Sequence, residues 1–266
     1  MLLRPDLFRV SPFEDATPWV RDPAGLRARA AEQGFLFFPG LLPTRLIDPV
    51  RALVRDLCVG YGLVDPAPDN PPWLLATADA RLERRCWDDA RWTELQQIVN
   101  RDSGFRALAG CDPVCDVLEA LFGEPAHVAD TNICWLKLPG SPEQTTLPHQ
   151  DLYYLRDSAA MRTVWFPAVD TPFDVGPLAL VPGSHHRGLR PHVDAMTGIA
   201  VPPNVGWASS PVKPGDVVIF DALTVHAAWS NISPRSVRVS FDVRYLPRSL
   251  SAGCTLLSSE ARPRRP

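Results

Sequence analysis

Lysine is almost absent from this chain: of 27 basic residues only Lys137 and Lys213 are lysines, and arginine supplies the rest. With a formal net charge of -3 over 266 residues, nothing provides the basic field that draws nucleic acid or an anionic membrane surface. Long apolar runs are missing too. None approaches the roughly 20 residues of a membrane span, and Met1-Leu2-Leu3-Arg4-Pro5-Asp6 lacks the uninterrupted apolar stretch of a secretion signal. The expectation is a soluble cytoplasmic protein whose partners are small molecules. Cysteine is sparse and badly spaced for metal or disulfide work. No Cys-x-x-Cys occurs among the six, and Cys111 and Cys115 read as two half-buried thiols on one helix face. Internal repeats and low-complexity linkers are also lacking. The chain therefore reads as one domain over residues 1–266, with a helix-rich part at 1–125, a β core at 126–248 and a tail at 249–266.

Within the first part, helical spacing predicts elements over 24–32, 43–59, 87–100 and 112–122, with Gly34 ending the first. The apolar run Phe35-Leu36-Phe37-Phe38 reads as a short buried strand, and the Pro- and Gly-rich stretch 60–72 as a loop. Near Pro125 the character changes. Strands are expected at 129–138, 162–169, 177–181, 217–221, 224–229 and 236–245, parted by turns such as Pro139-Gly140, Pro182-Gly183 and Pro214-Gly215-Asp216. That pattern predicts a mainly β architecture, a jelly roll covered by a helical layer.

The chemistry centres on His149-Gln150-Asp151. On a strand this spacing turns both ligating side chains to one face, and His226, in the apolar run from Val217, can bring a third ligand from another strand. Two histidines and one carboxylate leave several positions of a metal open, as non-haem Fe(II) requires to bind O2 and a co-substrate. A dicarboxylate co-substrate also needs a cation, for which Arg235, Arg238 and Arg244 compete. Arg238, Ser240, Asp242 and Arg244 share one strand face, so parity leaves the choice between Arg238 and a solvated Arg244 open. Thr131, Ile133, Trp135 and Lys137 form a second ladder along what reads as a pocket wall. A turn-flanking surface lysine is the alternative for Lys137.

Taken together, Lys137-Leu138-Pro139-Gly140, His149 to Tyr154, Val164-Trp165, Gly176-Pro177-Leu178, Pro182-Gly183-Ser184-His185, Lys213-Pro214-Gly215-Asp216, and His226 followed by Asn231-Ile232-Ser233 and Arg238 resemble the phytanoyl-CoA dioxygenase family of Fe(II)- and 2-oxoglutarate-dependent oxygenases. The likeness covers residues 130 to 245, with a weaker match at Gly34 to Leu42. It implies a double-stranded β-helix (jelly roll, cupin-like) with N-terminal helices packed on it. It also implies Fe(II) held by His149, Asp151 and His226, 2-oxoglutarate held by Arg238 with Lys137 and Trp165, and hydroxylation of a small organic molecule. Thr131, Trp135, Tyr153 and Tyr154 are the candidate substrate contacts, with Arg156 and Arg162 nearby.

Two positions depart from the family pattern: Ala228 stands where a serine often bonds the co-substrate, and Val175 where a polar residue is usual. Asp151 is retained, whereas halogenating relatives lose this carboxylate. His185, His186 and His192 read as solvated. The competing readings are a metalloenzyme using the same ligands without 2-oxoglutarate and a non-catalytic ligand-binding module.

Overall fold

Capping residues set the helices of the N-terminal part, as seen in the computed structural model, which describes residues 2–66, 74–83, 86–141, 145–155, 158–193, 198–202 and 204–251. Helix α1 (Pro23–Gln33) starts where the Asp22 carboxylate accepts the Gly25 N–H and stops at Gly34, whose φ of 80° only glycine adopts at no steric cost. In α2 (Thr44–Gly60) the buried residues Ile47, Val50, Val54 and Cys58 recur at helical spacing. The helices α3 (Ala90–Arg101), α4 (Ser103–Ala109) and α5 (Asp112–Phe122) follow, the first two capped by Asp89 and Asp102. The sequence reading did not include α4. Its 7 residues are too few for periodicity to register, and Asp102 serves as both the end of α3 and the cap of α4.

Strands carry the rest: β1 (Arg9–Ser11), β2 (Phe35–Phe38), β3 (Leu74–Leu75), β4 (Ala126–Val128), β5 (Ile133–Lys137), β6 (Arg162–Pro167), β7 (Leu178–Leu180), β8 (Gly206–Ala208), β9 (Val217–Asp221), β10 (His226–Ala228) and β11 (Ser236–Pro247). Two short helices, α6 (Asp151–Leu155) and α7 (Arg248–Ser251), lie among and after them. One sheet runs β1-β8-β7-β10. The other runs β2-β9-β6-β11-β3, with β4 and β5 also paired to β11. The result is the expected double-stranded β-helix with N-terminal helices packed on it.

Over β2, β6, β9 and β11 the larger sheet is buried on both faces, which explains the near-continuous apolar runs of β2, β6 and β9. Phe35, Phe37, Trp165, Val218 and Phe220 point inward against Leu178, Leu180 and Ala208 of the smaller sheet. The alternate residues Leu36, Phe38, Val164, Phe166, Val217, Ile219, Val239, Phe241 and Val243 point outward into the layer of α2 to α5. On β11 the inward set is Arg238, Ser240, Asp242 and Arg244, all buried, so polar side chains enter the space between the sheets from this strand.

Several strand bounds differ from expectation, and the short strands β1, β3, β4 and β8 were not foreseen. The stretch 129–138 becomes a strand only at Ile133, because the Asn132 side-chain carbonyl takes the Arg244 N–H (3.1 Å) that a continuous ladder would use. Strands β1 and β8 pair in parallel. Their three residues each carry no alternation strong enough to mark them.

Phe241 joins the helical layer to the sheet, its ring 5.4 Å from that of Phe105 and 5.2 Å from that of Phe166. Phe241→Ala is expected to lower unfolding stability by about 3–5 kcal/mol through lost burial and an unfilled cavity, measured as a shift in denaturant midpoint at constant m-value.

Candidate metal centre

The two histidines meet through the backbone. His149 and His226 exchange both main-chain hydrogen bonds (2.9 and 3.0 Å) as an antiparallel bridge, which places their side chains on one face although 77 residues separate them in sequence. Their rings lie 4.1 Å apart between centroids. Asp151 does not continue a strand, contrary to the expectation from its spacing. It is the first residue of α6, and the turn into that helix brings its carboxylate beneath the two rings. Oδ1 of Asp151 lies 3.7 Å from Nε2 of His149 and 3.6 Å from Nε2 of His226. One ligand atom from each of the three residues falls within 4.8 Å of the others.

Both imidazoles are prepared for a cation. Nδ1–H of His149 donates to the Leu147 carbonyl (2.8 Å) and that of His226 to the Thr224 carbonyl (3.0 Å). Each Nε2 therefore keeps its lone pair directed into the site. Burial, then the neighbouring His226, pushes the His149 pKa down to about 3, so that ring is neutral at pH 7. Burial of Asp151 opposes its charge, but Arg244 and then the two histidines and the Thr163 hydroxyl outweigh this and hold its pKa at about 2. Two imidazole nitrogens and one carboxylate oxygen converging on a point form a donor set that suits a divalent first-row ion with positions to spare. His149 keeps 13% of its side-chain surface exposed, against 5% for His226 and 4% for Asp151.

The three competing arginines separate clearly. Arg235 is at the surface, paired with Asp65 at 3.1 Å with 53% of its side chain exposed. Arg244 is buried, against the reading of it as solvated, and lies 3.1 Å from Asp242 and 3.6 Å from Asp151. Arg238 is 2% exposed. One of its Nη atoms donates to the Gly176 carbonyl, and among the described residues its Nε has no partner and no carboxylate pairs with it. Burial pulls its pKa down to about 10, against a smaller opposing pull from the Asp242 carboxylate.

Lys137 is Arg238's register partner across β5 and β11 and is 7% exposed, which rules out the surface-lysine alternative. The Ser240 hydroxyl, one inward position along β11, is likewise buried without a partner. Trp165 faces inward, level with Asp242. Gly176 has room only for hydrogen: at its φ of 86° a Cβ would stand 2.2 Å from the Trp229 carbonyl oxygen.

An aromatic wall flanks His149. Tyr154 packs edge-on to its ring at 5.5 Å and is 40% exposed, while Tyr153 stacks on His192 at 3.8 Å. His192 is thus half-buried and part of this wall, where the sequence reading had it solvated. Its Nε2 accepts the Gln150 N–H (3.3 Å) and its Nδ1–H donates to the Arg190 carbonyl (3.1 Å). The fully buried Gln150 side chain also donates to Gly188 and Leu223 carbonyls and accepts from the Arg190 N–H, so it ties this loop to the ligand segment.

Trp135 donates Nε1–H to Asp242 (2.6 Å), with the Lys137 ammonium 4.7 Å above its ring. The Thr131 carbonyl accepts from Arg244, and its hydroxyl is buried without a partner. Arg162 forms an ion pair with Asp221 (3.0 Å), while Arg156 lies outside the described residues. Of the remaining histidines, His186 is exposed, and His185 is half-buried with Nε2 bonded to the Ala31 carbonyl. Thr163, Gln150 and Asp242 were not singled out from sequence. Apart from the Asp242–Arg244 pair, two residues apart, their contacts span twelve residues or more, although parity had already put Asp242 on the inward face.

Comparison with known proteins follows the same lines. Residues 30–239 match the phytanoyl-CoA dioxygenase (PhyH) family. A 1-deoxypentalenic acid 11-beta-hydroxylase of Streptomyces arenae is 28% identical over 93% of this chain and 89% of its own. The counterpart from Streptomyces exfoliatus is also 28% identical, over 94% and 90%. Among solved structures, the epimerase SnoN in complex with Fe3+, alpha ketoglutarate and nogalamycin RO superimposes with a TM-score of 0.60 at 22% identity, covering 85% of each chain. The alpha ketoglutarate dependent carbocyclase SnoK gives 0.57 at 22%, covering 89% of this chain and 87% of that one. At such identities these two likenesses establish the fold.

The depressed His149 pKa carries a stability consequence. An unfolded chain takes up a proton at this histidine below pH 6.5 that the folded chain refuses, so stability is full above 6.5 and falls as pH drops toward 3. Asp151 adds a further loss below 3.8. The metal-free protein in chelator is expected to lose on the order of 1 kcal/mol per pH unit below about 6.5, read from denaturant midpoints. His149→Gln is expected to flatten that slope.

Proposed function

The chain belongs to the phytanoyl-CoA dioxygenase family, and from that premise we propose that it is an Fe(II)- and 2-oxoglutarate-dependent oxygenase that hydroxylates a C–H bond of a small organic molecule, releasing succinate and CO2. His149, Asp151 and His226 would hold the iron, and the iron with 2-oxoglutarate and O2 supplies the oxidising power when bound. The observation that carries the co-substrate assignment is Arg238, a buried guanidinium that no carboxylate of the described residues pairs with. A charge so placed is costly unless paired, and the distal carboxylate of 2-oxoglutarate is the pairing the site calls for, with Lys137 and the Ser240 hydroxyl beside it. Trp165 walls the space between this end and the metal. Ala228 removes one neutral hydrogen bond at the co-substrate, worth about 1 kcal/mol, whereas the charged contacts remain.

The protein's own work is to bind, orient and keep water out. Two main-chain carbonyls fix the imidazole tautomers, and inward-facing Phe220, 4.5 Å from the His226 ring, shields the ligands from one side. The accessible side of His149, with Tyr153, Tyr154 and His192, is the natural approach for substrate, and Thr131 and Trp135 border the opposite ladder. The name of the Streptomyces relatives supports a small organic acid or similar metabolite as the substrate class. One domain over residues 1–266 fits the packing of α1 to α5 on the same sheet that carries the site. The free thiols Cys58, Cys111, Cys115 and Cys134 fit a reducing cytoplasm.

Anaerobic addition of Fe(II) and then 2-oxoglutarate is expected to produce the weak visible band of a chelated 2-oxo acid. His149→Ala or Asp151→Ala should abolish both the band and substrate-coupled succinate release. Arg238→Met should leave metal binding intact and weaken 2-oxoglutarate about 10- to 100-fold, the worth of a charged hydrogen-bonded pair. Unchanged affinity in Arg238→Met would favour a metalloenzyme that dispenses with the co-substrate.

A further inference from the structure

Behind the metal-facing carboxylate stands a second buried cation that none of the ligand roles uses. Arg244 on β11 and Thr163 on β6 are register partners, so their side chains leave the sheet together on its inner face. Both reach the same atom, Oδ2 of Asp151: the Thr163 hydroxyl donates to it at 2.5 Å and the Arg244 Nη2 lies 3.6 Å away. The other oxygen, Oδ1, is the one that faces Nε2 of both histidines. Arg244 is itself anchored. Its Nη2 donates to Asp242 Oδ2 (3.1 Å), its Nη1 donates to the Thr131 carbonyl (2.9 Å), and Asp242 Oδ2 is pinned by Trp135 Nε1 (2.6 Å).

We propose that Arg244, acting with Thr163, is a positioning residue that occupies Oδ2 of Asp151 and so limits this carboxylate to one oxygen, Oδ1, at the metal. The inference rests on reading the site as an Fe(II) and 2-oxoglutarate centre. An ion held by three protein ligands would have only the remaining positions to offer the co-substrate and O2. A carboxylate that swung round to bind through both oxygens would take a position the co-substrate needs. Asp242 keeps Arg244 in place and balances its charge, so the guanidinium can hold Oδ2 without being drawn across the face of Asp151.

The test uses wild type, Thr163→Val and the double variant Arg244→Gln/Asp242→Asn, which removes both charges at once so that neither is stranded. Each is titrated anaerobically with Fe(II) alone and then, at saturating Fe(II), with 2-oxoglutarate, following the visible band, with folding checked by denaturant midpoint. In the double variant, 2-oxoglutarate affinity is expected to fall about tenfold or more while Fe(II) affinity changes less, because the freed oxygen competes with the co-substrate and not with the metal. Thr163→Val is expected to show the same split at about threefold.

A purely structural role would lower the folding midpoint and weaken Fe(II) and 2-oxoglutarate in parallel. That result, or a double variant whose 2-oxoglutarate affinity stays within about threefold of wild type, overturns the proposal. Should the double variant fail to fold, Thr163→Val decides, and unchanged 2-oxoglutarate affinity there overturns it. If wild type itself forms no band, the reading of the site fails and this inference falls with it, an outcome distinct from a wild-type band that the variants share.

Discussion

The pair of main-chain hydrogen bonds between His149 and His226 is the contact on which the centre depends. It closes a long excursion of the chain, sets both rings on one side of the bridge, and leaves each Nδ1 opposite the carbonyl two residues before it. Asp151 needs only the following turn into α6 to come beneath them. A backbone constraint of this kind costs the side chains little, because the rings are positioned by main-chain groups that would be hydrogen-bonded in any case.

β11 is the second organising element. Its outward residues belong to the apolar layer under the helices, and its inward residues are the polar series Arg238, Ser240, Asp242 and Arg244. Burying two guanidiniums on one strand is expensive in isolation. The structure resolves this differently at each end. Arg244 is neutralised by Asp242 and Asp151, while Arg238 has no carboxylate within ion-pair distance among the described residues. Asn231 braces the neighbouring turn, donating to the Lys137 and Ser236 carbonyls, so the edge where Lys137 and Arg238 lie side by side is held by a side chain outside the sheet.

Much of this was legible in the sequence because it is periodic or local. Alternation along 236–245 separated the inward polar set from the apolar one, helical spacing located α1, α2, α3 and α5, and the His-x-Asp triplet with His226 named the three side chains that the fold brings together. What escaped was long-range. Whether Arg244 is solvated depends on Asp151 and the Thr131 carbonyl, distant in sequence. Whether His192 is solvated depends on its stacking with Tyr153, and the strand reading of the triplet gave way to a helix that starts at Asp151. Spacing told which residues could share a face; it could not tell which element would supply the face.

The two-sided burial of the larger sheet bears on how this scaffold diversifies. Every residue of β6, β9 and β11 that could be altered to reshape the centre also abuts either the helical layer or the opposing sheet, so changes there disturb packing on one side or chemistry on the other. At the rim, Tyr154 is 40% exposed and is freer of such double duty than Tyr153 and His192, whose ring stack leans on the Gln150 segment. Variation in what the enzyme accepts can therefore accumulate along that rim while the oxidising apparatus beneath it stays constant, and an engineer seeking a new specificity would begin at the rim.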